Sequence, residues 1–198
     1  MRNVIVLLIT ALLLLVATAI ARSAGRAEAC ALGDTPESRL AGTAGCLLLG
    51  AAAGLALHEG THALVGAGDL DWSNFPRWRC PGCSAGRVQT IAMAPFLAQA
   101  IANEVLLDTP GAPRDHPIAA GFLLWGVLHP LTYVLRTELG GHGDFGNFHD
   151  SGQRRLAEGL VAGAALLQGA RLLFFDERFP LLVESAGRDI RLVLRLTW

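Results

Sequence analysis

The sequence predicts an all-α fold, a polytopic integral membrane bundle of four or five transmembrane helices. Three observations point to it. Hydrophobic residues make up 52% of the chain and the mean hydropathy is +0.42. Only 17% of residues are charged, and they fall between long apolar runs. Several of those runs have the length, about 20 residues, that a helix needs to cross a hydrocarbon core. With a net charge of −1 nothing points to nucleic acid or to an anionic surface, so no nucleic-acid partner is expected, and membrane lipid is. All 16 basic residues are arginine, a composition that hints at a GC-rich bacterial genome.

Five runs qualify as spans: residues 4–21, 40–65, 88–107, 117–135 and 156–175. The first follows "MRN" and ends on "AIA" at Ala19–Ala21, which also fits a signal peptide. At 18 residues it exceeds the usual apolar region of about 7–15, which favours a retained helix. The second run carries the most polar interruption, described below. The fourth contains His129-Pro130, read as a kink. The fifth is the weakest, because Glu158, Gln168 and Arg171 interrupt it. The organisation expected is residues 1–21 as a transmembrane helix or signal peptide, 40–155 as the membrane core, and 156–198 as a C-terminal helix and tail.

Arginines divide evenly between the two sides, so the positive-inside rule gives no orientation. A retained first helix starting inside and a cleaved signal peptide both leave Leu40 outside and Val65 inside. Either way the far end of the second span faces the cytoplasm, which suggests a multi-pass protein of the bacterial inner membrane.

That second span reads "LALHEGTHALVGAG" from Leu55 to Gly68. Ionisable groups at membrane depth are costly and mark function. His58 and His62 stand four apart, one above the other on a helix face. Two neutral imidazoles at that spacing can ligate one Zn²⁺. Glu59 lies about 100° round the helix, beside the metal but badly placed to join it. It suits a general base that takes a proton from water acidified at the metal and passes one to a leaving amine.

Zinc of this kind needs a third protein ligand. Asp144 in "GGHGDFGNF" is the first candidate, since the fourth span ends on the same side as the motif and the glycines of this loop break the helix. His142 in the same loop is an alternative. Glu104 is another: "NEVLLD" resembles the third-ligand helix of thermolysin-like gluzincins. However, it lies at the opposite end of the third span, where a structural polar contact is the better expectation. His116, His129 and His149 are single histidines with no metal role expected.

With these residues in view, the chain resembles the site-two protease group of intramembrane zinc metalloproteases over residues 40–150. His58, Glu59 and His62 match that group's HExxH helix. "IAMAPFLAQAIANE" is similar to its next helix through Ala94-Pro95 and Asn103, and "GHGDFGN" stands where it supplies a ligand aspartate. The resemblance implies a zinc endopeptidase, with His58, His62 and Asp144 as ligands and Glu59 as the catalytic base. Its substrate would be a transmembrane or membrane-adjacent peptide. The chain departs from the group's pattern: no Asn-Pro precedes Asp144, and Phe145 follows it where glycine is usual.

In that group, the loop after the motif helix presents substrate as an added strand. The matching segment here is residues 69–90, where Trp72, Phe75 and Trp78 suit a membrane interface. "CPGC" within it, Cys80 and Cys83, is expected as a reduced tight turn, with a redox pair or an intermolecular metal site second. Cys30 and Cys46 fall on the outer side, where a disulfide is permitted.

Overall fold

The computed structural model describes Cys30 and residues 35–74, 77–109, 116–139, 143–172, 181–186 and 189–194. The first apolar run, 4–21, and the candidate ligand His142 lie outside them. The described chain is mostly helical. Helix α1 spans Pro36–Val65, α2 Ala85–Asp108, α3 Pro117–Glu138 and α4 Ser151–Ala170. Two antiparallel two-stranded hairpins accompany them: β1 (Asp71–Asn74) with β2 (Arg77–Arg79), and β3 (Leu181–Ala186) with β4 (Asp189–Leu194).

Local chemistry sets the helix ends. Thr35 caps α1, its hydroxyl accepting from the Ser38 N–H at 3.2 Å, with Pro36 and Glu37 in the first turn. At the other end the Gly66 N–H donates to the His62 carbonyl at 2.8 Å. Ser84 caps α2 and His116 caps α3, which opens on Pro117. Asp150 caps α4, accepting from the Gln153 N–H at 2.7 Å, so this helix starts earlier than the apolar run alone suggests.

Among the described residues three helices, α1, α2 and α3, are long and apolar enough to cross a membrane. Only 28% of the most apolar window of α1 is buried inside the protein, and Leu48, Leu49, Leu97 and Leu128 point outward from the three. An apolar surface of this extent fits lipid rather than water. Helix α4, with Arg154, Arg155 and Glu158 in its first half, is not among the three.

The bundle is built on close contact between α1 and α3, with α2 against α1 and α4 against α3. Glycine makes the first contact possible. A methyl group at Gly50 would overlap the Ile118 carbonyl, and one at Gly121 would overlap the Leu47 carbonyl. Backbones this near each other exploit the dispersion and packing that hold helices together in lipid. We expect Gly50→Val or Gly121→Val to cost about 1–3 kcal/mol by overpacking, lowering the unfolding temperature in detergent. Gly45→Ala, where a Cβ meets nothing within 4 Å, is the control and should not destabilise.

A polar ladder joins α2 to α4. Asn103 donates to Gln168 at 3.0 Å, Gln168 to Glu104 at 2.9 Å, and Arg171 to Glu104 at 2.8 Å; Arg171 also pairs with Asp108. Satisfied contacts of this kind are what polar groups at membrane depth require.

Candidate metal centre

The His58–His62 spacing works as the helix geometry requires: both rings project from one face of α1 and are 1% exposed. The chain then leaves α3 at Leu139 and turns through the short 3-10 segment Asp144–Asn147, which buries Asp144 and Phe145 under α2 and α3. Phe145 stacks on Phe96 of α2, ring centroids 5.0 Å apart, and so anchors the segment. Asp144 arrives with Oδ2 3.1 Å from His58 Nε2 and Oδ1 3.1 Å from His62 Nε2. Among the described residues, these three form the one His/Cys/Asp/Glu group that could hold a metal ion, with ligand atoms all within 4.8 Å of one another.

The donor chemistry fits a cation. A neutral imidazole has one N–H. His62 meets an acceptor at each nitrogen: the Ile91 carbonyl at 3.1 Å from Nδ1 and Asp144 Oδ1 at 3.1 Å from Nε2. Satisfying both takes a second proton or a cation between Nε2 and the carboxylate. A tetrahedral metal with bonds of about 2.0–2.1 Å separates its ligand atoms by about 3.3 Å, near the 3.1 Å that separates each histidine from the nearer carboxylate oxygen. Burial would push the Asp144 carboxyl up, but its contacts with His58 and His62 outweigh that and hold it below the ordinary carboxylate range.

Support around the centre comes from residues that the spacing of the motif does not reveal. Pro95, inside α2, has no N–H and so leaves the Ile91 carbonyl without its helical partner four residues on. That carbonyl is the one facing His62 Nδ1, a contact that orients a ligating histidine. We expect Pro95→Ala, which restores a competing donor, to weaken metal binding by up to about 10-fold, read by chelator competition. His58 Nδ1 has no partner; the ring is held instead by Phe96, His129 and Tyr133, with centroids at 5.1, 4.5 and 5.6 Å.

His129, expected to be a bystander, therefore packs against the centre. Its ring stacks on Trp125 at 4.6 Å and meets Tyr133 at 4.5 Å. The four-residue spacing of Trp125, His129 and Tyr133 is the signal in the sequence, since it puts all three on one helix face. Trp78 corrects a second expectation. Its ring is turned into the protein, 5% exposed, and its indole N–H donates to Asp144 Oδ1 at 3.1 Å. The backbones of Trp72 and of Trp78 fall in β1 and β2; the Trp72 side chain and Phe75 lie outside the described residues.

Glu59 is half-buried, next to His58 on the adjoining face of α1. Glu104, the alternative third ligand, is not brought to the histidines; it is engaged by Gln168 and Arg171 on the α4 side. His116 sits at the start of α3, and His149 is exposed. The structure joins Cys30 to Cys46 and, contrary to the reduced turn expected, Cys80 to Cys83 as disulfides.

Comparison of the chain with protein-family models, with curated proteins and with solved structures finds no match.

Proposed function

We propose that this chain is a zinc-dependent intramembrane endopeptidase, a divergent relative of the site-two protease group, in which His58, His62 and Asp144 hold the metal. The observation that carries the reading is the meeting of Asp144 with both histidines in a buried cluster, with a carboxylate one residue from the first histidine. Zinc held there would act as a Lewis acid on a peptide carbonyl and would acidify a water. Glu59 has the complementary role of base and acid. It accepts the proton released as water adds to the carbonyl and hands one to the departing amine nitrogen. The substrate class is a peptide bond in a transmembrane or membrane-adjacent segment, since the centre sits among lipid-length helices. Metal analysis of purified protein tests the centre: close to one zinc per chain is expected, and iron or no metal would overturn the assignment.

A second reading, a metal-binding membrane protein without catalysis, draws support from the closure of the centre. His58, His62 and Asp144 are 1%, 1% and 5% exposed, and Trp78 covers the aspartate. A substrate must displace that cover, whereas a bound ion need not.

The same proposal assigns the protein to the bacterial inner membrane, with its centre towards the cytoplasm. The end of α1, the start of α2 and the end of α3 meet at one cluster, which supports loops 66–87 and 136–153 sharing a side. Single cysteines at the exposed positions Ser73 and Gly146 should react with a membrane-impermeant maleimide from the same face of the membrane. Labelling from opposite faces would refute a centre shared by His62 and Asp144.

A further inference from the structure

We propose that the Cys80–Cys83 disulfide is a reducible latch that holds Trp78 on Asp144 and so sets how tightly the centre keeps its metal. The inference rests on the metal-binding part of the reading above. Cys80 directly follows β2, the strand that carries Trp78. The Trp78 ring lies 5.2 Å from His62, and its N–H donates to Asp144 at 3.1 Å. Both cysteines pack in the apolar cluster formed by Trp78, Val65, Ile91 and Ala92. The same cluster thus includes the residue whose carbonyl faces His62 and the residue whose indole donates to Asp144.

The pair is also open to reagents. Cys80 and Cys83 are half-exposed, and Pro81 and Gly82 between them are exposed. Cys83 precedes Ser84, the cap of α2, so a thiolate formed there is next to the positive end of a long helix. That makes Cys83 the better leaving group. A thiolate of an external dithiol of the dithiothreitol type attacks Cys80 Sγ, the Cys80–Cys83 bond breaks, and Cys83 departs as thiolate. The reagent's second thiol then attacks its own sulfur in the mixed disulfide and releases Cys80. Two electrons pass from the dithiol, which leaves as a cyclic disulfide, to the two cysteines. Cytoplasmic dithiols supply such a reductant on the side proposed for this loop.

With the turn opened, β2 loses the covalent closure beside Trp78, and Asp144 loses a fixed donor. Loss of such an orienting partner costs about 10–100-fold in metal affinity. The test measures zinc affinity by chelator competition on the full-length chain in detergent. The forms compared are the oxidised protein, the dithiothreitol-reduced protein after desalting and alkylation, and Cys80→Ser/Cys83→Ser. We expect the oxidised form to bind at least about 10-fold tighter than the other two. Dithiothreitol should not alter the double variant, which retains Cys30–Cys46 and so controls for that second disulfide. Trp78→Phe should bind weakly and ignore the redox state. Equal affinity in oxidised, reduced and double-serine forms overturns the latch and leaves the metal centre standing. Absence of zinc from every form instead removes the centre itself, and the latch with it.

Discussion

Glu59→Gln should leave zinc bound and the fold intact while cleavage falls by about 100-fold or more, the usual loss when a general base is removed. The reasoning is geometric. The residue follows His58 on α1 and faces round the helix from it, so it stands beside the centre without belonging to the three residues that could hold a metal. Glutamine keeps the volume and the ability to hydrogen-bond, and removes only the proton acceptor. Purified wild type and variant, loaded with metal and offered candidate transmembrane peptides in detergent, should therefore differ in turnover and agree in zinc content. Equal cleavage by the two would sink the catalytic claim and leave the metal-binding reading. Loss of zinc from the variant would instead make Glu59 a ligand or a structural support.

Asp144→Ala should empty the centre, as should His58→Ala. The aspartate faces both histidines at 3.1 Å and brings the only negative charge among the three residues. Without it, two imidazoles one helical turn apart remain, and a site of two neutral ligands does not hold zinc against a competing chelator. The variant also leaves the buried Trp78 N–H without its acceptor, a cost of about 1–3 kcal/mol to the fold. Asp144→Asn separates the two effects. Its amide oxygen can still accept from Trp78, so stability should largely return while metal affinity stays far below wild type. The comparison with Glu104→Ala is decisive for the third ligand. That variant should keep its zinc, because Glu104 is engaged by Gln168 and Arg171. Full zinc in Asp144→Ala with loss in Glu104→Ala would reverse the assignment.

Part of this molecule is readable in one dimension. Apolar runs of lipid-crossing length define α1, α2 and α3, because hydrocarbon leaves a backbone few other ways to satisfy its hydrogen bonds. The pairing of His58 with His62 on one face follows from 3.6 residues per turn, which needs no neighbour to be true. The caps at Thr35 and Ser84 and the helix start at Pro117 are local in the same sense. Loop position, side of the membrane and a loose resemblance nominate Asp144, but its distance to the histidines is not readable from residue order.

Contact across 86 positions depends on how α1 and α3 pack, and that depends on Gly50 meeting Ile118 and Gly121 meeting Leu47. Trp78 reads as an interface residue because amphipathic rings suit lipid headgroups. Only the hairpin that follows α1 decides that its N–H meets a buried carboxylate instead. Pro95 reads in the sequence only as half of the Ala94-Pro95 step of a loose resemblance, and its role appears once the carbonyl it frees is seen opposite His62. The ends of helices and the faces of motifs are short-range consequences of backbone geometry, so residue order determines them. Which buried acid, ring or carbonyl completes the centre is a long-range consequence of packing, and only the folded chain decides it.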